Sequence, residues 1–251
     1  MWEPKNPIRK LLRKIAGYDI VKVSNPQIYC QDGLCSYHNH DFMKNPRFIS
    51  AYQRGIQACN ADYLIHWRVH VALWVASQAT NLDGDFVECG VNKGFLSSAI
   101  MAYLDWNSLN KHFWLFDTFA GLDERYVNEE EKQRGRLEFS KKAYSECYEE
   151  VKDNFSEFKN VHLIRGSVPD TLGNVSISKV CYLSLDMNCA APEIAATSFF
   201  WDKLVSGGVV LLDDYAYSGY EEQNKAFNKF ALEKGIEILS LPTGQGLFIK
   251  S

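Results

Sequence analysis

From Gly84 onward the chain alternates short apolar runs with amphipathic stretches, and four of those runs end on acids. The runs are Asp85–Cys89, 112–119, Val180–Leu185 and 209–212, and the acids are Glu88, Asp117, Asp186 and the pair Asp213–Asp214. A further run, Val161–Arg165, turns at Gly166-Ser167. Strands that alternate with helices form a parallel sheet covered on both faces. Parallel strands bring their carboxyl ends to one edge, so these carboxylates are expected on a single rim, where open α/β sheets bind ligands. Helix capping accounts for one or two of the acids. It does not account for adjacent aspartates after four aliphatic residues, because neighbouring carboxylates repel unless a cation or hydrogen-bond donors lie between them.

The full pattern predicts a Rossmann-like α/β fold. About seven strands, mostly parallel, end in an antiparallel hairpin from Ile236–Ser240 and Gly246–Lys250. Residues 1–80 are expected to form an N-terminal helical cap and 81–251 the ligand-binding domain. Within the cap, 46–60 and 63–80 read as helices, the second from the spacing of Leu64, Trp67, Val71, Trp74 and Val75. One helix is expected to carry Phe139, Tyr144, Cys147, Val151 and Phe155. Another, from Pro192 to Leu204, is expected to close at Gly207-Gly208. The charged stretch from Asp123 to Arg136 reads as a solvated loop, with a mobile substrate cover as the alternative.

The stretch Gly84-Asp-Phe-Val-Glu-Cys-Gly-Val-Asn-Lys-Gly94 reads as strand, glycine turn and helix start. A diphosphate needs a denser glycine run, and only Gly90 and Gly94 stand in this turn, which weakens an NAD or FAD reading. An acid after the second strand, Asp117, suits ribose hydroxyls. A phosphate-free nucleoside with an amino-acid tail, such as S-adenosylmethionine, fits both observations. Asp186, Asp213 and Asp214 could offer oxygens to one hard cation such as Mg²⁺.

With 251 residues, 46% of them hydrophobic, the chain is long enough for one large domain and an appendage. A net charge of −4 with mixed signs argues against a nucleic-acid partner. The apolar run from Val69 to Ala76 is too short to span a bilayer. The basic amphipathic stretch from Lys5 to Ile15 lacks the apolar core of a signal peptide and reads as a surface helix. Seven scattered cysteines suit a reducing, cytoplasmic setting better than a disulfide framework. Cys30, Cys35, His38 and His40 have poor spacing for structural zinc. The two histidines are retained as candidates to cover a substrate. Homo-oligomerisation is compatible with the sequence.

These residues resemble the class I S-adenosylmethionine-dependent methyltransferases, specifically the macrocin O-methyltransferase (TylF-like) group. The resemblance is carried by Trp67-Arg68, by 84–94 and by Phe116-Asp-Thr-Phe-Ala-Gly-Leu122. It continues through Gly166-Ser-Val-Pro-Asp-Thr-Leu172, Leu185-Asp186, Gly207-Gly208 and Asp213-Asp-Tyr215. It implies methyl transfer, assisted by Mg²⁺, to a hydroxyl of a sugar or sugar-bearing small molecule. The implied cofactor set is Glu88, Cys89, Gly90, Lys93, Gly94, Asp117, Thr118, Phe119, Gly166, Ser167 and Asp186. The implied metal set is Asp186, Asp213 and Asp214.

One departure stands out. Where the group carries a second aspartate after the fourth strand as general base, this chain has Asn188, which cannot take a proton at neutral pH. Three readings follow. The metal acidifies the acceptor enough for water to serve; or Glu193, His38 or His40 is the base; or the chain is a binding module without turnover.

Overall fold

The computed structural model describes Ile15 and residues 28–251, so most of the basic amphipathic stretch from Lys5 to Ile15 lies outside the described residues. The chain divides into two units, Met1–His40 and Asp41–Ser251.

The described part of the first unit is a hairpin, β1 (Tyr29–Gln31) and β2 (Leu34–Ser36). Asp32 and Gly33 turn it with φ of 51° and 73°, the left-handed pair that a two-residue hairpin loop requires. Cys30 lies directly opposite Cys35, and the two form a disulfide. The expectation of a purely helical N-terminal region is corrected here; Cys30 and Cys35 form one disulfide and no framework, and neither thiol is left to bind zinc. The remaining five cysteines are free and buried.

The second unit is built on β3 (Asp85–Cys89), β4 (Phe113–Asp117), β5 (Val161–Arg165), β6 (Val180–Leu185), β7 (Leu204–Leu212), β8 (Leu239–Ser240) and β9 (Gly246–Ile249). Their order across the sheet is β5-β4-β3-β6-β7-β9-β8. The first five are parallel; β9 runs antiparallel to β7, and β8 to β9. The expected seven-stranded sheet with a closing hairpin is present. Order reverses between β3 and β6, which leaves a crevice beyond their carboxyl ends.

Both sheet faces are buried, which is why the strands are almost continuously apolar. One face, with Phe86, Leu115, Tyr182 and Leu211, packs under α1 (Pro46–Cys59), α2 (His66–Ala79) and α3 (Phe95–Leu104). The other, with Val87, Cys89, Leu183 and Val210, packs against α7 (Ala190–Trp201) and α8 (Glu221–Lys234). Asn45 caps α1, accepting from the Arg47 N–H at 2.9 Å, and Pro46 occupies the first turn, where its missing donor costs nothing. At Gly55 an added Cβ would stand 2.8 Å from the Phe95 ring, so a glycine lets α1 lie close on α3.

In the second unit α2 begins at His66 and leaves Leu64 and Trp74 exposed, and three more elements differ from expectation. The segment read as one helix through Phe139 and Phe155 is two, α5 (Arg136–Ala143) and α6 (Tyr148–Phe155). Tyr144 is extended between them, and the Cys147 N–H bonds the Phe119 carbonyl at 2.9 Å. Gly207-Gly208 do not end a helix. They sit inside β7, where Val180 pairs with Leu204 and Tyr182 already pairs with Val209, so the glycines absorb a bulge. The charged stretch is not simply solvated loop. It carries α4 (Glu129–Gln133), whose Glu131 is 1% exposed and accepts from the N–H groups of Asn128 at 2.9 Å and Ala190 at 2.8 Å. That carboxylate ties the stretch to the start of α7.

Candidate active site

A cleft opens beyond the carboxyl ends of β3, β4 and β6. Its apolar lining includes Phe116, Phe119, Leu122, Val168 and Met187. Its charged lining is Asp117, Asp123 and Asp186; among the described residues no lysine, arginine or histidine takes part.

Asp117 organises the turn. Its Oδ2 accepts from the N–H groups of Val91 at 2.6 Å and Asn92 at 2.8 Å, and its Oδ1 from the Phe119 N–H at 2.5 Å. One carboxylate thus joins the ends of β3 and β4. Gly90 lies beside it with φ 93°, and an added Cβ there would fall 1.9 Å from the Asp186 carbonyl oxygen. Glycine is required because the ends of β3 and β6 nearly touch. Thr118 donates to the Gly121 carbonyl at 2.6 Å, and Phe119 holds a φ of 55°, which shapes the next loop. Across the cleft, Gly166 and Ser167 follow β5, and the Ser167 hydroxyl donates to Asp123 at 2.5 Å. Arg125 beside Asp123 holds that carboxyl well below the usual range.

Other expected cofactor residues stand elsewhere. Glu88 is 2% exposed on the sheet face under α3 and is not part of the lining; its Oε1 accepts from the Ser97 hydroxyl at 2.9 Å. Burial, with the charges of Asp117 and Asp213 adding to it, pushes its carboxyl up to about 8. Cys89 is enclosed on the opposite face. Lys93 pairs with Glu150 at 3.0 Å. Gly94 starts α3, and an added Cβ would meet the Phe155 ring at 2.3 Å, so this glycine serves packing.

Asp186 lines the cleft, and Asp213 and Asp214 follow the next strand; the Asp213 N–H bonds the Leu185 carbonyl at 2.9 Å. Burial first, and then the Asp213 and Asp214 charges, push the Asp186 carboxyl well up. The cation beside the pair is Arg68 of α2, 9% exposed. Its Nη1 bonds Asp213 Oδ2 and lies 3.9 Å from Asp214 Oδ1, and its guanidinium stands 4.4 Å from the Tyr217 ring. Asp213 Oδ1 accepts from Gln245 Nε2 at 3.1 Å. Among the described residues, no three His, Cys, Asp or Glu side chains are arranged to share a metal ion. The residues present therefore do not fit the expected Mg²⁺ site.

Asn188, at φ 56°, lies between two partners. It donates to Asp186 Oδ1 at 3.1 Å and accepts from the Tyr220 hydroxyl at 2.6 Å. Glu193 is 2% exposed and outside the lining; its Oε1 accepts from the Met187 N–H at 3.0 Å, which braces the turn carrying Asn188. His38 and His40 belong to the first unit, where His40 Nδ1 contacts the His38 carbonyl at 3.0 Å. Sequence reasoning missed Asp123, Tyr144, Tyr220 and Gln245. Tyr144 falls within the apolar period of the expected helix, and the others lie in or beside turns whose paths no periodicity reveals.

The profile of the Macrocin-O-methyltransferase (TylF) family matches residues 70–239. The 8-demethyl-8-(2,3-dimethoxy-alpha-L-rhamnosyl)-tetracenomycin-C 4'-O-methyltransferase of Streptomyces olivaceus is 26% identical over 147 residues, 55% of each chain. The match thus spans about half the length of that curated relative. In overall fold the chain is similar to the O-methyltransferase NovP, with a TM-score of 0.64 at 20% identity over 73% of this chain and 79% of that one. It is also similar to a calicheamicin methyltransferase, with a TM-score of 0.56 at 19% identity over 85% and 98%.

Proposed function

The chain belongs to the macrocin-O-methyltransferase (TylF) family, and on that premise we propose that it is an S-adenosylmethionine-dependent O-methyltransferase. The acceptor is a hydroxyl of a sugar or sugar-bearing small molecule, as the name of the tetracenomycin relative suggests. The observation that carries the cofactor reading is the charge of the cleft. Among the described residues no cationic side chain lines it; Asp123 is balanced by Arg125 outside the lining, and Asp117 and Asp186 remain to suit a sulfonium and an ammonium and to oppose a diphosphate.

When bound, S-adenosylmethionine supplies an electrophilic methyl group, and transfer then rests largely on positioning. Asp117 holds the Gly90 turn through three amide hydrogens and keeps one acceptor site, on Oδ1, for a ribose hydroxyl. Phe119, Gly166 and Ser167 form the walls suited to an adenine, and Asp186 offers its carboxylate to the cationic end. Asn188 and Tyr220 orient the acceptor hydroxyl by hydrogen bonding. Neither supplies a general base, and Glu193 is engaged in bracing its turn. No step is assigned to Mg²⁺, since Arg68 and Gln245 hold Asp213. We read α1 and α2 as the described helices of the cap expected over residues 1–80, and 81–251 as the methyltransferase domain, in a cytoplasmic protein. No helix among the described residues is long and apolar enough to cross a membrane.

Calorimetry with S-adenosylhomocysteine and labelled methyl transfer to a panel of sugars and glycosides test the proposal. Binding with turnover is expected. Binding without turnover on any acceptor favours a catalytically silent binding module, the reading that the asparagine at 188 supports. Binding of NAD instead would overturn the cofactor assignment.

A further inference from the structure

Five carboxylates crowd this end of the sheet: Glu88, Asp186, Glu193, Asp213 and Asp214, all buried or nearly so. Such a cluster needs bound protons or compensating positive charge, because the cost of burying like charges together rises steeply in a low-dielectric interior. A divalent ion is one solution. The sequence contains another.

Arg68 projects from the first turns of α2, between Trp67 and Val69, and is 9% exposed. A guanidinium stays charged at any accessible pH, so it cannot leave the cluster by losing a proton. It bonds Asp213 Oδ2, lies 3.9 Å from Asp214 Oδ1 and rests on the Tyr217 ring. The other Asp213 oxygen is held by Gln245, which is fully buried and whose amide is oriented by the Thr243 hydroxyl donating to Oε1 at 2.9 Å. Asp186 is engaged in turn by the Asn188 amide. An aspartate at position 188 would turn an acceptor toward Asp186, whereas asparagine supplies a donor.

Arg68 belongs to the motif shared with the group, and the departure lies at position 188. We propose that, with Asn188 donating to Asp186 where the group has a second aspartate, Arg68 serves as the resident cation of this cluster, that no divalent ion is held at Asp186, Asp213 and Asp214, and that cofactor binding in this chain is independent of metal. A metal there would have to displace the guanidinium from Asp213 and sit beside its full charge. Arg68 is a positioning residue: it fixes Asp213 and balances charge without lining the cleft. The asparagine at 188 belongs to the same arrangement, since one resident positive charge balances less negative charge than a divalent ion does.

The metal half of this inference stands without the proposed function; the cofactor half rests on it. Chelator-treated protein is titrated with Mn²⁺ and followed by electron paramagnetic resonance. Wild type is expected to show no saturable binding that depends on Asp213, and Arg68→Met is expected to gain one bound Mn²⁺ that Asp213→Asn removes again. Stoichiometric binding by wild type that disappears in Asp213→Asn would overturn the proposal, and this comparison decides even if Arg68→Met does not fold. In parallel, S-adenosylhomocysteine affinity is expected to be the same with and without EDTA. A chelator-induced loss of about tenfold or more would also overturn it. Failure to bind in both conditions would sink the functional reading while the Mn²⁺ titration still stands.

Discussion

The Tyr220 hydroxyl donates to Asn188 Oδ1 at 2.6 Å, and Asn188 Nδ2 donates onward to Asp186 at 3.1 Å. The asparagine is therefore directional, with its acceptor toward the tyrosine and its donor toward the acid. Replacing it with aspartate would keep the first bond and turn the second into a repulsion. Asn188→Asp is expected to destabilise the fold by about 1–3 kcal/mol at pH 8. The loss should shrink at pH 5, where the two carboxylates can share a proton. Urea denaturation at both pH values measures this, and equal stability of variant and wild type at pH 8 would refute the arrangement.

Asp117 should matter to binding through the turn it holds. Asp117→Asn retains one acceptor oxygen but sets an amide donor against backbone N–H groups that now meet a carboxylate. Affinity for S-adenosylhomocysteine is expected to fall about tenfold or more by calorimetry. An unchanged dissociation constant would remove Asp117 from the site.

The close approach of β3 and β6 gives Gly90 a structural role that any side chain would disrupt. Gly90→Ala combines a φ of 93° with a Cβ 1.9 Å from the Asp186 carbonyl oxygen. A loss of about 2–5 kcal/mol is expected, or failure to fold. A wild-type melting temperature would show that the two strand ends can separate freely.

Glu88 predicts a pH dependence with a definite sign. Its ordinary value is 4.5 and the folded value is about 8, raised by burial and then by Asp117 and Asp213. Between those values the native state holds a proton that the unfolded chain has released, so stability falls as pH rises through the window. Its contribution is fully favourable below about pH 4.5 and lost above about pH 8. Glu88→Gln removes the titration, so its melting temperature relative to wild type should rise steadily from pH 5 to pH 8. A constant difference across that range would contradict the assignment.

Much of this protein was determined by its sequence alone. Apolar runs with acids at their ends require buried parallel strands, because a sheet covered on both faces admits few polar residues and its strand ends meet the solvent-lined crevice. Hence β3 to β7, the closing hairpin, and the places of Gly90, Asp117 and Asp186 were all legible. The partners of those residues were not. Arg68 and Asp213 are separated by 145 positions, and Gln245 reaches the same carboxylate from the other end of the chain. Local pattern could mark three aspartates as a group in need of a cation, but whether an ion or a side chain supplies it depends on how α2 packs over the sheet. The same holds for Tyr144, drawn out of a helical period into the cleft lining, and for Glu131, a charged residue in a polar stretch that is buried at the start of α7. Strand ends are fixed by short-range periodicity and burial; side-chain pairing across the fold is decided only when distant elements meet.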